Sequence, residues 1–177
     1  YLKATNFGFS IPAGATISGI KVEWEVRDIG TTAIDNAARI VKGGTIGSTD
    51  RSNATNWTTT DTFLPHGSSS DLWGETWTVS DINATTFGAA LSAKNGTTGN
   101  FVDSVRITVS YTPSISISGT VYTDEGTTTM GSGRTVSVSI NGAAAAGSIT
   151  TASDGTYTIS GLTVNAGDVL TLYLDGA

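Results

Sequence analysis

The chain lacks cysteine altogether, so disulfides and thiolate metal sites are excluded while the redox compartment stays open. Charge is scarce as well: only 14% of the 177 residues are Asp, Glu, Lys or Arg. The nine cations stand singly, and the net charge is −6 with an isoelectric point near 4.5. A protein that tracks phosphates needs a cationic face, so no nucleic-acid partner is expected. No apolar run approaches the length of a membrane span. No signal peptide is visible, and a chain that opens on Tyr1 rather than Met reads as a processed product or an excerpt. Helical periodicity is nearly missing. Residues 80–85 fit one turn at most, with Ser80 as its N-cap.

What the chain does have is Ser and Thr, about 29% together, along with 22 glycines and 38% apolar residues. Enrichment in Thr, Val, Ile, Gly and Ser is the composition of an all-β protein with many turns. Cysteine-free, acidic, Ser/Thr-rich chains are common on bacterial, archaeal and phage surfaces, so an extracellular or cell-surface location is expected. From Ile20 to Arg27 the residues alternate, with Ile20, Val22, Trp24 and Val26 on one face and Lys21, Glu23, Glu25 and Arg27 on the other. Period two with one apolar face predicts a half-buried antiparallel strand, its charged side exposed. The pattern returns at residues 105–111, placing Val105, Ile107 and Val109 inward and Arg106 outward. Shorter strands are predicted at 37–42, 45–50 and 87–93.

Just before the first of these strands, Phe7, Phe9 and Ile11 alternate as a short strand of their own, which Pro12-Ala13-Gly14 interrupts. Proline cannot donate to a ladder, glycine can take positive φ, and Ala-Gly-Ala offers no functional side chain. The interruption therefore reads as a corner between sheets rather than a ligand loop. At Tyr111-Thr112-Pro113-Ser114 the first pattern ends and a second begins. Residues 1–113 carry 8 cations and 10 anions, whereas 114–177 carry Arg134 alone against 5 anions.

The segments "YLKATNFGFSIPAGATISGIKVEWEV", "VKGGTIGSTDRS", "SSDLWGETWTVSDINATTFGAALSAKN" and "FVDSVRITVSY" together resemble a β-sandwich module of large bacterial surface proteins and phage-associated virion proteins. That resemblance brings no catalytic residues with it. In those relatives more strand-forming sequence precedes the "YLKAT" segment. The second half, with "SGTVY", "GRTVSVSING", "SDGTYTISGL" and "AGDVLTLYL", resembles the Ig/transthyretin-like repeats called Cna-B or carboxypeptidase-regulatory-like domains. Some Cna-B relatives carry a Lys–Asn isopeptide bond, which a second half without lysine cannot form. Such relatives also run on past a segment like "LTLYLDG". The expected architecture is two tandem antiparallel β-sandwich domains: residues 1–112 jelly-roll-like, 113–114 a short linker, 115–177 Ig/transthyretin-like and incomplete.

Candidate chemistry is thin. His66, the single histidine, sits in "FLPHGSSSD" with Asp71 and Ser68, Ser69 and Ser70, but no nucleophile elbow or oxyanion motif accompanies them. Glu23 and Glu25 share a strand face, as paired glycosidase carboxylates would, but among Lys21 and Arg27 they read as a charged outer face. Trp57, Trp73 and Trp77 are candidates for a carbohydrate-stacking platform, Trp73 and Trp77 at the even spacing that puts two indoles on one strand face. Leu72 and Val79 nearby argue for the core instead. Asp71, Glu75, Asp81 and Asp103, or Asp124 with Glu125, are candidate oxygen ligands for a structural calcium, though no D-x-D-x-D run fixes a site. No other cofactor is expected. Glycosylation sequons stand at Asn53, Asn56, Asn83 and Asn95, few more than chance supplies.

These readings favour a non-enzymatic, structural role. The expectation is a subunit or segment of an extracellular filament or surface polymer, with other copies of the chain as partners through strand complementation or head-to-tail contacts. The alternative is a carbohydrate-binding or adhesive module of a phage fibre or surface adhesin, gripping glycans through Trp57, Trp73 or Trp77.

Overall fold

The computed structural model describes residues 1–30, 32–96 and 99–176. It is all-β, with 51% of residues in strands and 3% in helix, and every ladder is antiparallel. The backbone divides into two compact units, Tyr1–Thr112 and Pro113–Ala177.

The first unit contains β1 (Leu2–Thr5), β2 (Thr16–Asp28), β3 (Ile34–Lys42), β4 (Thr45–Ile46), β5 (Thr62–Ser68), α1 (Val79–Asn83), β6 (Gly88–Lys94) and β7 (Asn100–Thr112). One sheet runs β1-β6-β3-β4 and the other β5-β2-β7. Between them lies one core, with Ile20, Val22, Trp24 and Val26 of β2 opposed to Ala38 and Ile40 of β3 and Ala89 and Leu91 of β6. Val105, Ile107 and Val109 of β7 pack against that core but stay half-buried. β1 and β2 belong to different sheets, so the Pro12-Ala13-Gly14 interruption is a corner, closed by a bond from Ala15 N–H to Pro12 O at 3.3 Å.

Four expectations are corrected here. Residues 7–11 form no strand: Phe7, Phe9 and Ile11 turn inward as the alternation implied, but Asn6 and Gly8 take φ of 65° and 71°, which breaks the extended backbone a ladder needs. The 45–50 strand shrinks to two residues, because beyond Ile46 the chain leaves the sheet as an irregular segment, 47–61. The helical turn is capped by Thr78, not Ser80: Thr78 Oγ1 accepts from Asp81 N–H while the Asp81 carboxylate accepts from Thr78 N–H, a reciprocal capping box. Glu23 is not exposed but 8% accessible. Arg106 lies directly across the ladder from it and covers it with a two-pronged bond, both prongs 3.0 Å, while Lys21 adds a contact at 3.1 Å.

The long segment 47–61 is tied down at many points. Arg51 N–H donates to Ala38 O, Ala38 N–H donates to Asp50 Oδ1, and Trp57 N–H donates to Ala33 O. These bonds satisfy backbone groups along β3 and just before it, beyond the two-residue reach of β4. The loop thus covers a sheet edge, as strand edges in stable proteins require.

The second unit contains β8 (Ser114–Thr120), β9 (Thr135–Ile140), β10 (Ala145–Thr150), β11 (Thr156–Thr163) and β12 (Leu170–Leu174). Its sheets are β10-β9-β12 and β11-β8, with Val136, Val138, Ile159 and Leu162 at the centre of a smaller core. Asn141-Gly142, with φ of 54° and 73°, forms the centre of a tight turn in the 141–144 connection from β9 to β10, and Ala143 N–H closes it on Ile140 O.

Candidate functional site

The three indoles do not make a platform. Trp57 and Trp73 are each 1% exposed, in the core of the first unit. Trp57 Nε1 donates to Asp35 Oδ1 at 3.0 Å and Trp73 Nε1 to Ile20 O at 2.8 Å, so both polar handles are also consumed inside. Trp73 and Trp77 lie on a loop rather than a strand, and Trp73 holds φ of 58°, so even spacing no longer puts them on one face. Trp77 alone is half-buried, its edge against Phe87 and Lys42 Nζ 5.2 Å from its ring centre. It lines an open cavity of about 450 Å³ at the Pro12–Gly14 corner, with Thr16, Thr78 and Ser80.

Nor do the carboxylates converge on a cation. Asp71 gives both oxygens to Arg51, at 2.6 and 3.0 Å, and the bond from Arg51 holds its carboxyl below the ordinary value. Asp81 is occupied by the capping box and by Lys42. Asp103 is exposed on β7, Glu75 sits on the loop before α1, and Glu125 is exposed near Asp124. Asp124 turns its carboxylate onto the N–H groups of Thr127 and Thr128. Among the described residues no group of three or more His, Asp or Glu is placed to hold a metal ion. Glu23 and Glu25 are likewise committed, to Arg106 and to Ser104 respectively.

The polar centre of the first unit is one the sequence concealed. His66 is not in a polar loop but on β5, opposite Val22 of β2 and 2% exposed. Its Nε2 lies 2.7 Å from Asp35 Oδ2, both side chains fully enclosed. Asp35 accepts from Trp57 Nε1 and from Asn53 N–H as well, the latter at 2.8 Å. Burial pushes the Asp35 carboxyl up, but the hydrogen bonds from His66, Asn53 and Trp57 together outweigh it and hold the group below its ordinary value. A carboxylate on an imidazole is half of a hydrolytic triad. Here, among the described residues, His66 Nδ1 is buried without a hydrogen-bond partner, Ser68, Ser69 and Ser70 are exposed, and Asp71 is paired elsewhere. The constellation joins β3, β5 and the 47–61 loop; it does not activate a serine.

The second unit presents a different kind of feature. Among the described residues β8 pairs only with β11 and β12 only with β9, so both are edge strands, as β10 and β11 are at the opposite edges of the same sheets. Beside these edges an open groove of about 380 Å³ is lined by Val121, Tyr122, Tyr157, Leu172, Tyr173 and Leu174. Tyr122, Leu172 and Tyr173 are 40%, 37% and 40% exposed, an apolar surface that a unit this small ordinarily keeps inside.

No protein-family model, curated protein or solved structure matches the chain.

Proposed function

We propose that the chain is a structural segment of an extracellular filament or surface polymer, built from the two β-sandwich modules it resembles, and that copies join by β-strand addition in a head-to-tail manner. The observation that carries this reading is the apolar groove of the second unit beside the free edges of β8 and β12. A strand laid along β12 would bond its open backbone, with side chains on one face meeting Leu172 and those on the other meeting Tyr173. A head-to-tail contact that does not close on itself propagates. The test is concentration-dependent assembly, followed by light scattering and electron microscopy of negatively stained samples. Wild-type chain should form filaments, and Leu172→Glu should stay monomeric with its strand content unchanged. A wild-type chain that remains a monodisperse monomer at high concentration overturns the reading.

One observation favours the second reading, an adhesive module. Trp77, with Thr16 and Ser80 around its cavity, offers the apolar face and polar rim that a single sugar ring takes. Trp57 and Trp73, buried, play no part in it. Oligosaccharide binding that disappears in Trp77→Ala, from a chain that does not assemble, would put this reading first.

A further inference from the structure

The sequence holds two Asn-Gly pairs, Asn95-Gly96 and Asn141-Gly142, and the structure treats them differently. Both asparagines have left-handed backbones, φ of 65° and 54°, and both are exposed. Asn141 is held at both ends of its side chain. Its Nδ2 donates to Asp168 Oδ1 at 2.8 Å and its Oδ1 accepts from Val169 N–H at 2.9 Å. Its own N–H donates to Val169 O at 2.8 Å, so the residue is clamped to the 165–169 segment from three directions. The bonds from Asn165 N–H and Asn141 keep the Asp168 carboxyl below its ordinary value, which makes it a dependable acceptor at neutral pH. Asn95 has its carbonyl engaged by the Thr32 hydroxyl at 2.9 Å. Among the described residues neither its side-chain amide nor the Gly96 N–H has a hydrogen-bond partner.

We propose that Asn95 is a site of spontaneous deamidation in the folded protein and that Asn141 is protected from it. The reacting groups are all in the chain. The Gly96 backbone nitrogen gives up its proton to hydroxide and attacks the Asn95 side-chain carbonyl carbon, forming a five-membered imide. The bond from that carbon to the side-chain nitrogen breaks, and the nitrogen leaves as ammonia with a proton from water. Water then opens the imide at either carbonyl, giving aspartate or the β-linked isoaspartate. The net change is one water consumed and one ammonia released, with no redox partner. Glycine in the following position has no Cβ beside its nitrogen, although the Asn100 side-chain amide packs into the space a Cβ would fill. The carbon attacked must also swing toward that nitrogen. At Asn95 no side-chain hydrogen bond among the described residues opposes the swing, whereas at Asn141 two must open first. The outcome is a new negative charge in the connection from β6 to β7, and in the isoaspartate form an extra backbone carbon as well.

Incubation of the full-length folded protein at mildly alkaline pH, followed by peptide mass mapping and isoaspartyl-methyltransferase labelling, tests this. Conversion is expected at Asn95, with Asn141 slower by roughly tenfold or more, the factor expected when two hydrogen bonds of ordinary net strength must break. In concentrated urea the two pairs should convert at similar rates, because the clamp is gone. Asp168→Ala should raise the Asn141 rate in the folded protein and leave Asn95 unchanged. The proposal is overturned if Asn141 keeps pace with Asn95 in the native wild-type chain. It is equally overturned if Asn95 stays intact there while both pairs convert in urea.

Discussion

Asp35 is the residue on which the first unit turns, since one carboxylate satisfies three donors from three places: the His66 ring, the Trp57 indole and the Asn53 backbone. Truncation by Asp35→Ala would orphan the His66 ring and the Trp57 indole inside the core and free the Asn53 N–H at its margin, and losses of this kind cost about 3–5 kcal/mol. A urea titration of the purified variant measures it, and an unchanged midpoint would mean the network is ornamental. Acid should act on the same group. A carboxyl whose folded pKa lies below its unfolded one adds stability that is complete above the unfolded value, about 4, and is lost as pH falls through the folded value. Asp35, Glu23, Asp71 and Asp81 all lie on that side of their ordinary values. The urea midpoint should therefore hold from neutrality to about pH 5 and fall below about pH 4; a midpoint that rises on acidification contradicts the assignment. None of this was legible in advance. Asp35 stands in an unremarkable Ile-Asp-Asn-Ala stretch, and its partners lie 18, 22 and 31 residues away. Period-two alternation says which way Glu23 points; it does not say that Arg106 will close over it.

At the level of elements, β2 was readable because eight residues alternate without a break and its two neighbours exploit both edges. β5 was not. Pro65, Gly67 and three serines make "FLPHGSSSD" look like a loop, yet the chain pairs there in register from Thr62 to Ser68. The strand lies at a sheet edge, the one place where a proline without its N–H is tolerated in a ladder. Thr78→Ala, which removes one half of the α1 capping box, should cost about 1 kcal/mol, read as a lowered urea midpoint. β1 depends on a glycine across the ladder: a Cβ at Gly88 would stand 1.9 Å from Ala4 O. In Gly88→Ala the edge strand must therefore lift away, and hydrogen exchange of the Leu2–Thr5 amides should accelerate while β2 keeps its protection. Unchanged exchange at those amides would mean that β1 accommodates the methyl by sliding.

For the molecule as a whole, composition and alternation were enough to reveal an all-β chain, because both act through many residues at once. What an exposed edge or groove is for does not follow from them, since strand patterns encode the inward face and not what covers the outer one. The two core clusters share no residue, so damage should stay local. Trp24→Ala should lower the stability of the first unit by about 3–5 kcal/mol and Val138→Ala that of the second by a smaller amount, each visible in calorimetry as a shift of one transition. A shift of both by a single substitution would show that the units unfold together. The 47–61 segment carries a further consequence, for digestion. A protease must draw several residues of extended chain into its cleft, and the stretch around Asn53 cannot yield them while its backbone is fastened to the buried Asp35. Trypsin, offered Arg51 on the surface, should spare it in the native protein and cut there only once the unit is unfolded in urea. The longest irregular stretch of the first unit would then survive digestion about as well as a strand.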